Sequence, residues 1–232
     1  MIIRLILIIS LLLAFFMPIS ALTLNPRVKT VLNISQHYGI DYGYEEYEVE
    51  TGFRIGLTGG VAFDFPVTDV FSISQEFIYV TKGSKQKIKI ADDQIKLDVS
   101  YQTDYLEFPT IFLLHYYRRN SFALFYQSGF SMSYLIYGRY KLEGNIMAGD
   151  DPYELNIDKR MTNIDQFDFG IITGGGVEFS LINKHFSLDY RINFGIPFIE
   201  LPTTEDIFEE DPEGSRVKLR NQSYSISLGL FF

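Results

Sequence analysis

The sequence predicts an all-β fold, an eight-stranded antiparallel up-and-down transmembrane β-barrel. Eight segments alternate between apolar and small or polar residues, with the period of two that a β-strand requires. The connections between these segments alternate in length, beginning and ending with a long one, as in barrels that cross a membrane. The second face of most segments consists of Gly, Ala, Ser and scattered charges. Such a face suits the narrow interior of a small barrel better than it suits contact with bulk water.

Length and composition are consistent with one domain of this kind. The chain has 232 residues, of which 47% are hydrophobic, and barrels of this size commonly form a single domain. Aromatic residues make up 16%, which favours strands over helices. Cysteine is absent, so disulfides and thiolate metal sites are excluded.

The N-terminus predicts export. Residues 1–4 carry one positive charge, residues 5–17 form an almost unbroken apolar run, and residues 18–21 end it with small side chains. This is the pattern of a signal peptide, residues 1–21, with cleavage after Ala21. The alternative is an uncleaved anchor helix, but the run is short for the roughly 20 apolar residues that span a bilayer.

The barrel domain is therefore predicted to comprise residues 22–232. Removing the signal peptide takes away Arg4 and leaves 19 basic against 29 acidic residues, a formal charge of −10. A chain with that excess of negative charge is a poor ligand for nucleic acid, so no nucleic-acid partner is expected.

The eight predicted strands occupy residues 27–36, 53–65, 70–82, 101–116, 121–140, 164–180, 186–194 and 223–232. Long loops are predicted at 37–51, 83–100, 142–163 and 197–216, and short turns at 66–69, 117–120 and 181–184. Both termini then lie on the side of the short turns. In outer-membrane barrels the short turns are periplasmic and the long loops extracellular.

The closing strand has an apolar residue at every second position and ends on an aromatic residue. It resembles the C-terminal strand of bacterial outer-membrane barrels, which the barrel-insertion machinery recognises. That machinery and outer-membrane lipid are the partners that the sequence predicts. The predicted insertion signal is Tyr224, Ile226, Leu228, Leu230 and Phe232.

Charged residues on the opposite strand faces predict a polar network in the lumen. Charges can be accommodated there by pairing with one another or with internal water. A soluble barrel of the lipocalin type would instead place its apolar residues inside and a polar face in water. The predicted lumenal network is Arg54, Glu76, Glu107, Asp168, Glu178, Asp189 and Arg191.

Four short segments carry a family resemblance. They are residues 105–109 (YLEFP), 167–170 (FDFG), the glycine triplet 174–176, and residues 188–191 (LDYR). These segments resemble the outer-membrane β-barrel domain family that includes PorT and is common in Bacteroidota. The resemblance extends from about residue 27 onward and implies the barrel fold and the outer membrane. For PorT itself, the family membership implies a role in supporting protein secretion. No residue of this sequence indicates that the chain shares that role.

The candidate chemistry is sparse. His185 and Ser187 share a strand face and are similar to the His-x-Ser pair of outer-membrane lipid A deacylases. However, the pair follows a short turn at the predicted periplasmic end, and Leu188 and Asp189 replace the Asn-Ala expected after it. We therefore predict no catalytic residue.

No metal or cofactor site is predicted either. His37 and His115 lie in separate elements and are expected to be solvated or interfacial side chains. The glycines 174–176 lie inside a strand and lack the Lys-Ser or Lys-Thr of a phosphate-binding loop, so they are expected to serve curvature and close packing. The acidic segment 200–213 leaves two readings open, a solvated loop or a site for divalent cations.

The sequence favours a non-enzymatic outer-membrane protein with a structural or interaction role through its extracellular loops, such as envelope assembly or secretion support. One alternative is a lipid-modifying enzyme embedded in the outer membrane, or a small pore. Another is a soluble periplasmic barrel that binds a small ligand. Eight strands leave an interior only wide enough for side chains, which argues against an open porin.

Overall fold

The chain forms one antiparallel sheet of ten strands in the part that the structure describes. The computed structural model describes residues 24–38, 47–90, 95–119, 121–148, 151–161, 166–196, 199–201 and 217–232. The strands are β1 (Asn25–Tyr38), β2 (Tyr47–Pro66), β3 (Phe71–Ile90), β4 (Ile95–Arg119), β5 (Phe122–Ala148), β6 (Asp151–Arg160), β7 (Phe167–Leu181), β8 (Lys184–Gly195), β9 (Ile199–Leu201) and β10 (Val217–Phe231). The predicted all-β, antiparallel character is confirmed. The predicted signal peptide lies outside the described residues.

The sheet closes on itself in a ring. Strands pair in the order β1, β2, β3, β4, β5, β7, β8, β10, and β10 pairs again with β1. Val28 lies opposite Leu230 in the closing pair, and Tyr38 lies opposite Arg220. Strands β6 and β9 lie off this ring, on β5 and β10 respectively. Closure leaves no unpaired edge between the first and last strands of the ring.

One end of the ring carries tight connections, and we call it the short-turn end. Strands β7 and β8 are joined through Ile182 and Asn183, whose φ angles are 51° and 57°. Two consecutive positive φ angles are typical of the type I′ turn, whose twist matches that of a hairpin. At the β2–β3 turn, the Thr68 hydroxyl accepts hydrogen bonds from the backbone N–H groups of Val70 and Phe71.

The opposite end, which we call the far end, contains more strand than expected. The predicted loops 83–100 and 142–163 are largely β-structure, because β3 continues to residue 90, β4 begins at residue 95, and β5 and β6 form a hairpin. In this region the strand period persists with charged residues in place of apolar ones. Lys85 and Lys87 are exposed, whereas Gln86 and Ile88, which alternate with them, are buried. The prediction missed these extensions because it required apolar residues on the outward face.

Burial across the sheet is the reverse of that in a water-soluble protein. Leu57 is 73% exposed and Ile226 is 55% exposed, whereas Glu76 and Asp189 are 0% and 2% exposed. Soluble proteins rarely bury this many charged side chains and rarely display such a large set of apolar side chains. Within the described ranges, no helix is long and apolar enough to cross a membrane.

The glycine triplet lies inside β7, where neighbouring backbones approach closely. A Cβ atom added at Gly174 would lie 2.1 Å from the carbonyl oxygen of Tyr190 on β8. No side chain fits at that distance, so the position requires glycine for packing.

Candidate functional site

A cluster of ion pairs occupies the middle of the ring. Arg191 on β8 donates two hydrogen bonds to the carboxylate of Glu76 on β3, at 2.5 and 2.8 Å, and one from Nε to Asp189 at 2.9 Å. The Nζ atom of Lys29 lies 3.2 Å from Glu76 and 3.2 Å from Asp189. Two cations thus alternate with two carboxylates, and all four side chains are at most 7% exposed. We call these four residues the central cluster.

A second pair lies nearer the short-turn end. The guanidinium of Arg27 on β1 is 3.2 Å from Asp64 and donates a hydrogen bond of 2.9 Å to the hydroxyl of Ser187. It is also 3.7 Å from Glu76, which links this pair to the central cluster. The ring of Phe231 lies 5.0 Å from the same guanidinium. Arg27 is 2% exposed, and these contacts compensate the burial of its charge.

A pocket of about 370 Å³ lies at the short-turn end. Its lining includes His115, Glu178 and His185, together with the aromatic residues Phe122 and Phe232. Nε2 of His115 lies 3.2 Å from Glu178, and Nε2 of His185 lies 3.6 Å from the other oxygen of that carboxylate. The pocket is therefore lined by a carboxylate between two histidines and by aromatic rings.

A third group lies on the far side of the central cluster. Lys82 is 2.8 Å from Glu107 and 3.4 Å from Asp168. The amide of Asn193 donates to Glu107 at 3.3 Å, and the amide of Asn221 donates to Asp168 at 2.8 Å. Each carboxylate thus has a cation and an amide partner. Buried charges are tolerated only with such partners.

Six of the seven predicted lumenal residues lie in these interior groups, namely Glu76, Glu107, Asp168, Glu178, Asp189 and Arg191. Arg54 lies elsewhere. It is half-buried, and its guanidinium donates to Ser100 and Gln102, which alternate with the buried residues 101 and 103 and so face outward. Arg54 is paired opposite the buried Ser35 of β1, but its stem lies against Gly83 of β3, where an added Cβ would be 3.0 Å from its Cδ atom. The room left by that glycine lets the guanidinium reach β4 on the outward face.

Four interior charges were missed by the sequence analysis, namely Arg27, Lys29, Asp64 and Lys82. A signal for them was present. Arg27 and Lys29 are in phase with the polar residues Asn33 and Ser35 of the first strand, and all four are buried. Lys82 is likewise in phase with Glu76. Extending the period of two along the whole strand would have included these side chains.

The expectation that His37 and His115 are solvated or interfacial is wrong. His37 is 1% exposed, and its Nδ1 atom lies 2.7 Å from the Ser84 hydroxyl. His115 is 5% exposed and is paired with Glu178. Both lie at inward positions of their strands, where a polar partner replaces solvent.

The predicted insertion signal lies on the outside of the ring. Tyr224, Ile226 and Leu228 on β10 are exposed, and Leu230 is half-exposed. Phe232 follows the end of β10 and is 73% exposed, while its backbone N–H donates to the carbonyl oxygen of Pro26 at 3.1 Å. These five side chains therefore form one outward row next to the first strand.

The geometry of the His-x-Ser pair does not support a nucleophile. Ser187 is fully buried and accepts a hydrogen bond from Arg27, whereas His185 lies beside Ser180, with Nδ1 3.2 Å from its hydroxyl. Within the described ranges, no group of three His, Asp or Glu residues is arranged to hold a metal ion. Of the acidic segment 200–213, residues 202–213 lie outside the described residues.

An antiparallel sheet that closes on itself, with apolar side chains outside and ion pairs inside, defines a protein of the outer-membrane β-barrel class. Residues 23–197 match the family described as outer membrane protein beta-barrel domain. The chain belongs to this family, which implies the bacterial outer membrane as its compartment. A search of curated protein sequences finds no match.

The chain is similar to several solved structures. Neisserial surface protein A is 9% identical with a TM-score of 0.40, and the match covers 89% of this chain and 97% of that one. Ail, the attachment invasion locus protein of Yersinia pestis, is 8% identical with a TM-score of 0.36, covering 90% and 99%. The outer membrane protease OmpT from Escherichia coli is 9% identical with a TM-score of 0.48, covering 93% and 99%. With identities this low and TM-scores below 0.5, these structures indicate nothing about function.

Proposed function

We propose that this protein is an integral outer-membrane protein, an eight-stranded up-and-down transmembrane barrel without enzymatic activity. Export depends on the signal peptide 1–21. The protein acts through the surface that β2 to β6 present at the far end, in a structural or interaction role. The observation that carries the proposal is the sorting of side chains, apolar outside and charged inside, around the whole ring.

The outward apolar band supports the membrane location. Every ring strand contributes at least one exposed, large apolar side chain, for example Leu32, Leu57, Phe77, Phe112, Phe130, Ile171, Tyr190 and Ile226. About ten residues at roughly 3.3 Å each, tilted near 45°, span about 23 Å, close to the apolar thickness that such barrels cover. In a soluble barrel this band would be in contact with water, which is a strong argument against the soluble alternative.

The interior supports a closed barrel rather than a pore. The central cluster fills the ring between the pocket at the short-turn end and a void of only about 30 Å³, which Lys29 and Arg191 line. Opening a channel would require separating these buried ion pairs, which costs free energy.

The far end supports a role in interaction. Beyond the band, β3, β4, β5 and β6 continue as a paired sheet rather than as loose loops. Ile88, Leu97, Val99 and Leu142 are at most 5% exposed on its inward face, so this extension has an apolar core of its own. A sheet of this kind can present a fixed surface to an extracellular partner. Support of envelope assembly or of secretion, as in the PorT-like proteins, is compatible with such a surface.

Fractionation and electrophoresis test this proposal together. We expect the protein in the outer-membrane fraction, with a mobility that differs between heated and unheated samples, as folded barrels typically show. Purified protein in planar bilayers should give no stable conductance. A soluble periplasmic species without a heat-dependent shift would overturn the membrane location. A stable conductance would favour the pore.

A further inference from the structure

Five cations gather on the outward face of the sheet where the apolar band ends. They are Arg54 on β2, Lys85 on β3, Arg139 and Lys141 on β5, and Arg160 on β6, and we call them the basic patch. Strand pairing places them close together. Ser100 on β4 lies opposite both Lys85 and Lys141, and Arg139 lies opposite Arg160. The guanidinium of Arg54 reaches into this group, because it donates a hydrogen bond of 3.2 Å to the Ser100 hydroxyl.

The local backbone allows this approach. Gly83 on β3 has a φ of 146°, and a Cβ atom there would lie 3.0 Å from Cδ of Arg54. The absence of a side chain at Gly83 lets the stem of Arg54 cross β3 to reach β4. The patch is therefore a product of the fold and not of a run of basic residues in the sequence.

The patch retains uncompensated positive charge. Arg139 is paired with Asp158 and Lys141 with Glu143. Lys85 and Arg160 have no carboxylate within ion-pair distance in the described part of the chain. Their neighbours on adjacent strands give the reason. Lys85 lies between Gly52 and Ser100, and Arg160 lies opposite Arg139.

The height of the patch indicates its ligand. The guanidinium of Arg160 lies 5.5 Å from the ring centre of Tyr137. Exposed apolar residues adjoin the patch, namely Tyr79 on β3, Ile136 on β5, and Phe53 and Ile55 on either side of Arg54. A cation at this depth meets lipid headgroups. The chain as a whole carries a formal charge of −9, so general attraction to an anionic membrane surface is absent and any such attraction must be local.

We propose that the basic patch binds the phosphate groups of lipid in the outer leaflet and so holds lipid against the β3–β6 side of the barrel. Guanidinium and ammonium groups bind phosphate through charge-assisted hydrogen bonds, and Arg does so with two parallel donors. This inference rests on the proposed membrane location and orientation. It adds a ligand class and a site to that proposal.

The test uses the full-length mature protein in mixed micelles, with phosphorylated lipid A as the probe and its dephosphorylated form for comparison. We expect the phosphorylated form to bind more tightly. The double variant Lys85→Gln/Arg160→Gln should weaken that binding about 25-fold, since each surface cation contributes about fivefold. The matched control is Lys87→Gln, on the same strand and face but between Glu50 and Asp98, and it should leave affinity unchanged.

The outcomes separate this site from the proposed function. If the double variant keeps the heat-dependent gel shift and the affinity of the unchanged protein, the lipid site is wrong while the barrel stands. If millimolar inorganic phosphate displaces the lipid completely, the patch is a simple anion site and not a lipid site. If the unchanged protein shows no heat-dependent shift, the membrane location fails, and this inference fails with it.

Discussion

Arg191 and Glu76 join opposite sides of the ring. Their strands, β8 and β3, are four places apart in the ring order, and the two parallel hydrogen bonds between them cross the interior. Each residue has a second partner of opposite charge, Asp189 for the arginine and Lys29 for the glutamate. One network of ion pairs thus connects opposite strands across the interior of the ring.

Removing Glu76 should destabilise the barrel strongly. Glu76→Gln leaves Lys29 and Arg191 buried with one carboxylate between them, and breaking a buried pair in this way costs about 3 to 5 kcal/mol. Urea unfolding in lipid vesicles, followed by the loss of the heat-dependent gel shift, measures the change. The double variant Glu76→Gln/Arg191→Gln should recover part of the loss. If the single variant is as stable as the parent, the two side chains do not form a buried pair.

The lipid exposure of the outward apolar band can be tested by introducing a single charged side chain. Ile226→Arg places a cation on the lipid side of β10, and we expect a cost of about 2 to 4 kcal/mol near the bilayer midplane. Ile226→Val is the matched control and should cost less than about 1.5 kcal/mol. The same urea titration compares them. An arginine tolerated at this position would mean that β10 faces water.

The closing residues have separable roles. Deleting Phe232 should reduce the yield in the outer membrane, because the terminal aromatic residue is the predicted insertion signal, while refolding in detergent should persist. Replacing Ile226 and Leu228 with Asp should impair both yield and refolding, since it puts charge on the lipid face. Outer-membrane yield and detergent refolding are measured side by side. A Phe232 deletion that lowers both equally would assign the residue to sheet closure instead.

Cysteine labelling tests the orientation of the barrel in the membrane. Because the sequence has no cysteine, only an introduced cysteine can be labelled. Asp98→Cys lies on the outward face of the far-end sheet, and Asn183→Cys lies in a turn at the short-turn end. In intact cells a membrane-impermeant maleimide should label the first and not the second. Labelling of both after the cells are opened is the control. The reverse labelling pattern in intact cells would mean that the barrel has the opposite orientation in the membrane.

The Arg139–Asp158 pair predicts a local pH dependence outside the membrane. The hydrogen bond from Arg139 lowers the pKa of the Asp158 carboxyl. Because the folded-state pKa is depressed, any contribution of the pair to stability is present at neutral pH and lost as the pH falls through that pKa. Arg139→Gln should return the pKa of Asp158 towards its ordinary value. A carboxyl NMR titration measures this, and an unchanged pKa would show that the pair does not persist in solution.

The sequence by itself determined the strands and, for most residues, which face each one occupies. Alternation is a local property, since successive side chains of any strand point to opposite sides whatever strand lies beside it. Asp189 next to Tyr190, and Ser227 next to Ile226, could therefore be assigned to opposite faces without knowledge of the fold. The period also extended through Lys85 and Lys87, but there the outward residues are charged, and an apolar criterion could not detect them.

Only the tertiary structure decided which charges meet. Arg191 and Glu76 are 115 positions apart, and nothing local distinguishes Glu76 from Glu107 or Glu178 as the partner of that arginine. Strand order and register make the choice, because they set the height at which each inward side chain crosses the ring. The neighbouring strands also decided the place of Arg54. It is paired opposite the buried Ser35 of β1, but its guanidinium reaches Ser100 and Gln102 on β4, because Gly83 on β3 leaves room for its stem.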